Sequence, residues 1–474
     1  MDIYAKKYCP DMIIRCLDKS VEERLGKTNI LEIESIPKLL RKFAVPSVIS
    51  LLVNALYNIV DQIFIGRGVG YLGNGATNVI LPLVVMNMAI CMLFGDGAAT
   101  FFSVKLGEKK EDQACHAVGN AIVCGIITGI ITCTVFNIGL QFFCRLTGAT
   151  DNIMPYALEY GHIIISAFPA VALIVVTSSI IRADGSPRFT MAGLLVGCGI
   201  NVILDYLFVI RFQWGVKGAA WATVIGELAN AVMFFCYLFH FKCIRLHKKA
   251  FQLKKIYVLQ IMKLGISSFV TQLSAVLIMI VMNRLLVFYG RSSIYGEDIP
   301  MTAMGVTMKI NQILLSLMTG IAAGALPIIG FNYGARKYKR VKQTIRLAII
   351  SAMLCGVIAT FFFQICPEQI VSIFGSESTL YVDFSVKCLK VYLLFCILDG
   401  LNNVIPTCLQ AIEKPGLAVL TSLLRQIIFN LPPAFLAPIF LGVAGVLWNG
   451  PIASVAACVL NIFILKYIWK QMKE

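Results

Sequence analysis

Charge is what this chain has least of: Asp, Glu, Lys and Arg make up 14% of its 474 residues, against about 25% in soluble proteins. That shortage, with 58% hydrophobic residues and a mean hydropathy of +0.81, excludes a soluble globular domain, because the surface must face lipid. Histidine is nearly missing. Its four copies (His116, His162, His240, His247) are dispersed or lie near connections, and no C-x-x-C pair accompanies them. No metal-ligand spacing and no nucleophile with its base therefore speaks for an intramembrane enzyme. The phosphate-binding pattern G-x-x-x-x-G-K-[ST] is absent too, which removes ATP as the evident energy source, and no cofactor is expected. No apolar core interrupts the alternating charges of residues 1–37, so residues 1–35 read as a cytosolic extension and not as a secretory signal. The 16 cysteines scatter mostly within apolar runs and read as small packing residues.

What is present is a series of long apolar runs. About twelve are long enough to cross roughly 30 Å of hydrocarbon, near 43–65, 77–104, 118–143, 156–181, 189–210, 217–241, 260–289, 302–331, 345–366, 383–410, 416–440 and 443–469. Each must be a helix, since lipid leaves no other way to satisfy the backbone. The fold class is an all-α polytopic membrane protein. The formal charge of +16 would suit nucleic acid, but the basic residues cluster in alternate connections: Lys38, Arg41 and Lys42; Lys105, Lys109 and Lys110; Arg182 and Arg188; the run from Lys242 to Lys255; Arg336 to Lys342; Lys414; and Lys466 to Lys473. In that pattern they act as topology signals, which puts both termini in the cytosol of a multi-pass plasma-membrane protein and leaves no nucleic-acid partner. The other connections hold acids such as Asp151, Glu297, Asp298, Glu368 and Glu377.

The chain also repeats itself. GAATFFSVKLGEKK (97–110) aligns with GALPIIGFNYGARK (324–337), and Gly215, Val216, Gly218 and Trp221 meet Gly442, Val443, Gly445 and Trp448, both at an offset of 227 residues. Six spans per half make the halves parallel repeats about an axis along the membrane normal. The expected architecture is two six-helix lobes around a central cavity: an N-lobe over 36–241, a basic linker over 242–259, and a C-lobe over 260–474.

Pro46 followed by NIVDQIFIGRGVG (58–70), the glycine-rich turn after span two, NVILD in span five, GAAWAT (218–223) opening span six and NYGAR (332–336) after span eight occur in an order that resembles the MATE multidrug and toxic compound extrusion transporters. The resemblance covers about residues 36–470. It implies an antiporter that exports amphipathic, often cationic organic molecules by alternating access, driven by H+ or Na+. Small organic substrates and membrane lipid are the partners, and the protein is expected to be a monomer.

The acids bear on this reading. An Asp at the centre of a membrane helix costs roughly 2.5 to 3.5 kcal/mol on insertion scales, so each intramembrane acid is a functional candidate. Asn201 and Asp205 stand four residues apart on one helical face of span five. At about 1.5 Å per residue, Asp61, Asp205, Asn201 and Thr223 fall within one layer of the N-lobe, a plausible cage for a hard monovalent cation or a proton-sharing pair. In MATE transporters the matching positions form the coupling-ion site, and the resemblance implies that role for these four. The plainer readings are an interhelical hydrogen bond for Asn201 and a back-bond to its own helix for Thr223.

Other polar residues sort differently. Asp399, eleven residues before Gln410, sits where some members carry a C-lobe carboxylate. Glu227 could serve the site or pair with an amide such as Asn230. Lys309, beside Asn311 and Gln312, could be a tethered counter-charge. Asp96, in FGDGAA near the cytosolic mouth, is explained by helix packing and hydration. Ser454 stands where a Glu is often found in span twelve, which concentrates the coupling chemistry in the N-lobe, and Pro433 falls where the repeat would put a second Asp205. Ile36, Leu39, Leu40 and Phe43 read as an interfacial stripe leading into span one. Two rival readings fit the sequence less well. A lipid-linked oligosaccharide flippase on the same scaffold would favour a cavity rich in Arg and Lys. An intramembrane enzyme lacks its constellation.

Overall fold

In the computed structural model residues 30–472 are described, with the exception of residues 70, 148, 150, 297 and 373–378; Glu297, Glu377 and most of the N-terminal extension lie outside the described residues. The spans are α1 (Ile36–Gly68), α2 (Tyr71–Gly107), α3 (Glu111–Ile138), α4 (Met154–Ser166 and Phe168–Ala183), α5 (Pro187–Asp205, running on as π-helical turns over Tyr206–Arg211) and α6 (Gly215–Tyr237). The second half supplies α7 (Lys255–Gly290), α8 (Asp298–Gly334), α9 (Tyr338–Ile365) and α10 (Thr379–Tyr392 and Cys396–Ala411). It ends with α11 (Pro415–Leu423, π-helical turns over Leu424–Ile428, then Leu431–Leu441) and α12 (Val443–Leu447 and Asn449–Gln471).

Among the described residues ten helices are long and apolar enough to cross a membrane, and the two parts of α4, bent by 50°, make an eleventh. The segments of α10, 14 and 16 residues long, are each too short to qualify alone but occupy the twelfth position. The breaks in α4 and α10 fall at repeat-equivalent places, near Ala167 and Leu394. No strand forms among the described residues.

Where the hydrophobic cores sit decides the shape. One core, near the end of the bundle that carries the basic connections, draws side chains from both halves, among them Phe43, Phe94, Phe102, Leu264, Met318 and Leu409. Towards the opposite end there are two separate cores: one holds only α1–α6 residues such as Ile80 and Phe168, the other only α7–α12 residues such as Met282 and Phe384. The lobes therefore join at the basic end and part towards the other.

Glycine makes that junction possible. A Cβ on Gly107 would lie 2.1 Å from the Phe331 carbonyl oxygen, and one on Gly334 would lie 2.1 Å from the Val104 carbonyl oxygen. These two contacts are exchanged by the 227-residue repeat, so α2 and α8 cross on the pseudo-two-fold axis with backbones touching. The same symmetry relates Gly97 on Ile261 of α7 to Gly324 on Ala44 of α1. Any side chain at the first pair would push the lobes apart.

Two straps reinforce the basic end. The short helix Ile30–Ile33 reaches across to the α8–α9 turn: Arg340 Nη2 donates to the carbonyls of Leu31 (3.0 Å) and Glu34 (2.7 Å), and Lys337 Nζ lies 2.8 Å from Glu32. The hydrogen bond from Lys337 holds the Glu32 carboxyl below its usual range. Ile36, Leu39, Leu40 and Phe43 are buried in the shared core, which corrects the expectation of an interfacial stripe. The cause is α8, whose Gly324 and Gly320 bring it onto the backbone of α1 at Phe43, Ala44 and Val48, a packing that no helical periodicity announces. The second strap is the connection between lobes, which follows the N-lobe surface. Asp184 accepts from the Lys242 and Cys243 backbone N–H groups (2.7 and 2.8 Å), and Asn120 bonds the Ala250 and Gln252 carbonyls and the Lys254 N–H. Its last residue, Lys254, caps α7, which begins earlier than expected.

Candidate functional site

In the N-lobe, α5 lies against α6 because both present glycine at the crossing. A Cβ on Gly226 would sit 2.6 Å from the Gly197 carbonyl oxygen. That close approach sets Asn201 against Thr223, and Asn201 Nδ2 donates to Thr223 Oγ1 at 3.2 Å. One turn further, α5 ends at Asp205 and continues as π-helical turns, a distortion often found at functional sites. Asp205 is fully buried and its carboxyl group adjoins that of Asp61 on α1. Glu227, four residues after Thr223 on α6, brings a third carboxyl group to the same interior.

The polar atoms here are supplied but not satisfied. Asp61 Oδ1, both oxygens of Asp205, Asn201 Oδ1 and Glu227 Oε2 are buried without a hydrogen-bond partner among the described residues, and no basic side chain pairs with these acids there. Two carboxyl groups in contact can coexist only by holding a proton between them or by sharing a cation. Tyr57 of α1 and Tyr160 of α4 lie within electrostatic reach of Asp61, Asp205 and Glu227. Sequence reasoning passed over both tyrosines because an aromatic in an apolar run carries no signal of its own.

The C-lobe answers its acid differently. Asp399 Oδ1 accepts from Arg425 Nη2 and from Ser454 Oγ, each at 2.8 Å. Arg425 projects from the π-helical turns of α11, and Asn402 Nδ2 donates to the Ser454 carbonyl at 3.0 Å. Asp399 is thus a paired charge. Arg425 was missed at the level of sequence because the basic residue of a buried pair stands 26 positions away, on another helix. Lys309 is exposed on α8.

Asp96 is not merely a hydrated residue among glycines. Its Oδ1 accepts from Ser179 of α4 (2.9 Å) and its Oδ2 from Ser268 of α7 (2.8 Å), while Arg182 Nη2 bonds Ser179 Oγ at 2.9 Å. Ser268 also reaches Gln410 of α10 at 3.3 Å. These side chains line a cavity of about 80 Å³ between the lobes at the basic end. The acid bridges the lobes, a role invisible while α7 is not known to pass beside it.

Nor are the histidines all dispersed. His116 and His247, far apart in sequence, stand with ring centroids 5.5 Å apart, and Asp112 joins them.

A family model described as MatE matches residues 46–207 and 264–436. The multidrug export protein MepA of Staphylococcus aureus (strain MRSA252) is 26% identical over 435 residues, covering 91% of this chain and 93% of its own. That of Staphylococcus saprophyticus is 24% identical over 442 residues, covering 92% and 95%. Among solved structures, a multidrug resistance MATE family transporter in its outward-facing conformation superposes with a TM-score of 0.89 at 19% identity, over 95% of this chain and all of that one. A MOP superfamily transporter from Pyrococcus furiosus Vc1 gives a TM-score of 0.88, also at 19% identity and over 95% of this chain. At those identities the superpositions speak for the fold.

Proposed function

Because this chain belongs to the MatE family, and is therefore a membrane transporter and not an enzyme, we propose that it is a cation-coupled antiporter that exports amphipathic, often cationic organic compounds. The observation that carries the reading is the N-lobe set of buried, unpartnered oxygens on Asp61, Asn201, Asp205 and Glu227, with Thr223 alongside. An all-oxygen set of this kind suits H+ or Na+. The names of the staphylococcal relatives support the substrate class.

The mechanism follows from the two cores. The basic end faces the cytosol under the positive-inside rule, so the state described, joined there and parted at the other end, is open outward. A ligand shifts such an equilibrium only by its differential affinity for the two states. Loading Asp61 and Asp205 from outside relieves the repulsion between them, and this favours the rearrangement that returns the ion-loaded, drug-free site to the cytosolic side. Unloading there, and binding of a drug, favours the outward state. Each positive charge carried inward contributes about 2.3 kcal/mol per 100 mV of membrane potential. The carrier works as a monomer in the plasma membrane, with both termini in the cytosol.

Reconstitution into proteoliposomes tests this. Substrate counterflow should respond to an imposed H+ or Na+ gradient, and a carrier indifferent to both would end the antiport reading.

A further inference from the structure

At the cytosolic face, the first turns of α3 meet the connection between lobes, and side chains with metal-binding chemistry converge there. Asp112 and His116 lie one helical turn apart on α3, and His247 comes from the connection. Asp112 Oδ1 is 4.0 Å from His116 Nδ1 and 3.9 Å from His247 Nε2, and one ligand atom from each residue falls within 4.8 Å of the others. His116 is 4% exposed, and its Nδ1 has no hydrogen-bond partner among the described residues. A buried imidazole nitrogen left open towards a carboxylate and a second imidazole is an incomplete coordination sphere.

We propose that Asp112, His116 and His247 bind one divalent transition-metal ion of the Zn2+ class, which ties the connection between the lobes to α3. Bonds of about 2.1 Å at tetrahedral angles put neighbouring ligand atoms about 3.4 Å apart, so Asp112 needs to close on each imidazole by about half an ångström, and the two imidazole nitrogens, within 4.8 Å of each other, by no more than about 1.4 Å. The outer contacts fit. His247 keeps Nδ1–H for Cys115 Sγ, 3.3 Å away, and Cys115 in turn donates to the Arg245 carbonyl at 3.4 Å. A ligating histidine whose second nitrogen is held in this way has its tautomer and ring orientation set. Two nitrogens, one carboxylate and an open fourth position suit Zn2+ over Mg2+ or Ca2+, which take oxygen ligands.

Lys254 opposes the metal. Its Nζ lies 2.6 Å from His116 Nε2, so in the metal-free protein Nε2 accepts and the ring proton sits on Nδ1. Ligation at Nδ1 moves the proton to Nε2, which then repels the ammonium and releases Lys254. Metal and Lys254 therefore compete for one ring.

The test is titration of the detergent-solubilised full-length protein with Zn2+ against a chromophoric chelator, repeated with Co2+ for its absorption spectrum. Wild type should take up one equivalent, and the Co2+ form should show tetrahedral bands without a strong thiolate charge-transfer band. Affinity should fall by about tenfold or more in His247→Ala and in Asp112→Ala, both exposed positions that folding tolerates, and should rise in Lys254→Met. His162→Ala, a histidine outside the cluster, should bind as wild type does. Added Zn2+ should also slow tryptic cleavage after Lys248 and Lys249 in wild type but not in His247→Ala. A wild type without a stoichiometric equivalent, or one whose equivalent survives His247→Ala and Asp112→Ala, overturns the site. Unchanged affinity in Lys254→Met overturns the competition.

Discussion

The two lobes share a backbone plan and differ in how they treat charge. Ser454 of the C-lobe stands at the repeat position of Glu227, and the contacts that relate Ala44 of α1 to Ile261 of α7 put the apolar Ile278 at that of Asp61. The N-lobe gathers three acids and leaves them without a basic partner among the described residues; the C-lobe has one acid at the comparable depth and pairs it with Arg425. Duplication thus supplied two equivalent frames, and a buried carboxylate is stable in either only if something neutralises it. In the C-lobe that something is built in. In the N-lobe no such partner is present among the described residues, and the proposed ion coupling rests on that difference.

The largest effect that would probe this contrast comes from Asp205→Asn. Drug resistance of a sensitive host should drop to the level of cells lacking the transporter while the amount of protein in the membrane is unchanged; full resistance would remove the N-lobe from the coupling mechanism. Next in size is Arg425→Met, which leaves Asp399 buried without its cation. Thermal unfolding in micelles should reveal a loss of about 3 kcal/mol, and the double variant Arg425→Met with Asp399→Leu should recover most of it. If the single variant melts like wild type, the pair does not account for the C-lobe's neutrality.

Gly107→Val probes the frame the lobes share. Its side chain meets the Phe331 carbonyl on the pseudo-two-fold axis, so the junction at the basic end should weaken by about 1–3 kcal/mol, seen as longer spin-label distances between α2 and α8 there. Distances that do not change would show that the contact yields without separating the lobes. The smallest effect is expected from Asp96→Asn, which keeps one acceptor oxygen for Ser179 or Ser268. Transport should slow by only a few-fold, and a loss as complete as that of Asp205→Asn would place Asp96 among the coupling acids.

How much was legible depended on the reach of each signal. Helical spans, their orientation and the repeat are local or periodic properties, and a chain of this hydropathy shows them along its length. The four-residue spacing of Asn201 and Asp205 already placed both on one face, and depth counting brought Asp61 and Thr223 to the same layer, as the fold does. Residue depth, however, says nothing of azimuth. Arg425 at Asp399, Ser268 at Asp96, and His247 at His116 are meetings between helices or between helix and connection, separated by 26, 172 and about 130 positions.

By itself, then, the sequence determined that this protein lives in a membrane as two parallel six-helix halves and that its N-terminal half carries costly acids, because lipid admits only apolar helices and charges anything else heavily. The tertiary structure alone decided which of those acids are neutralised and which are left open, because that depends on the rotation of each helix about its axis and on glycine contacts that bring two backbones together.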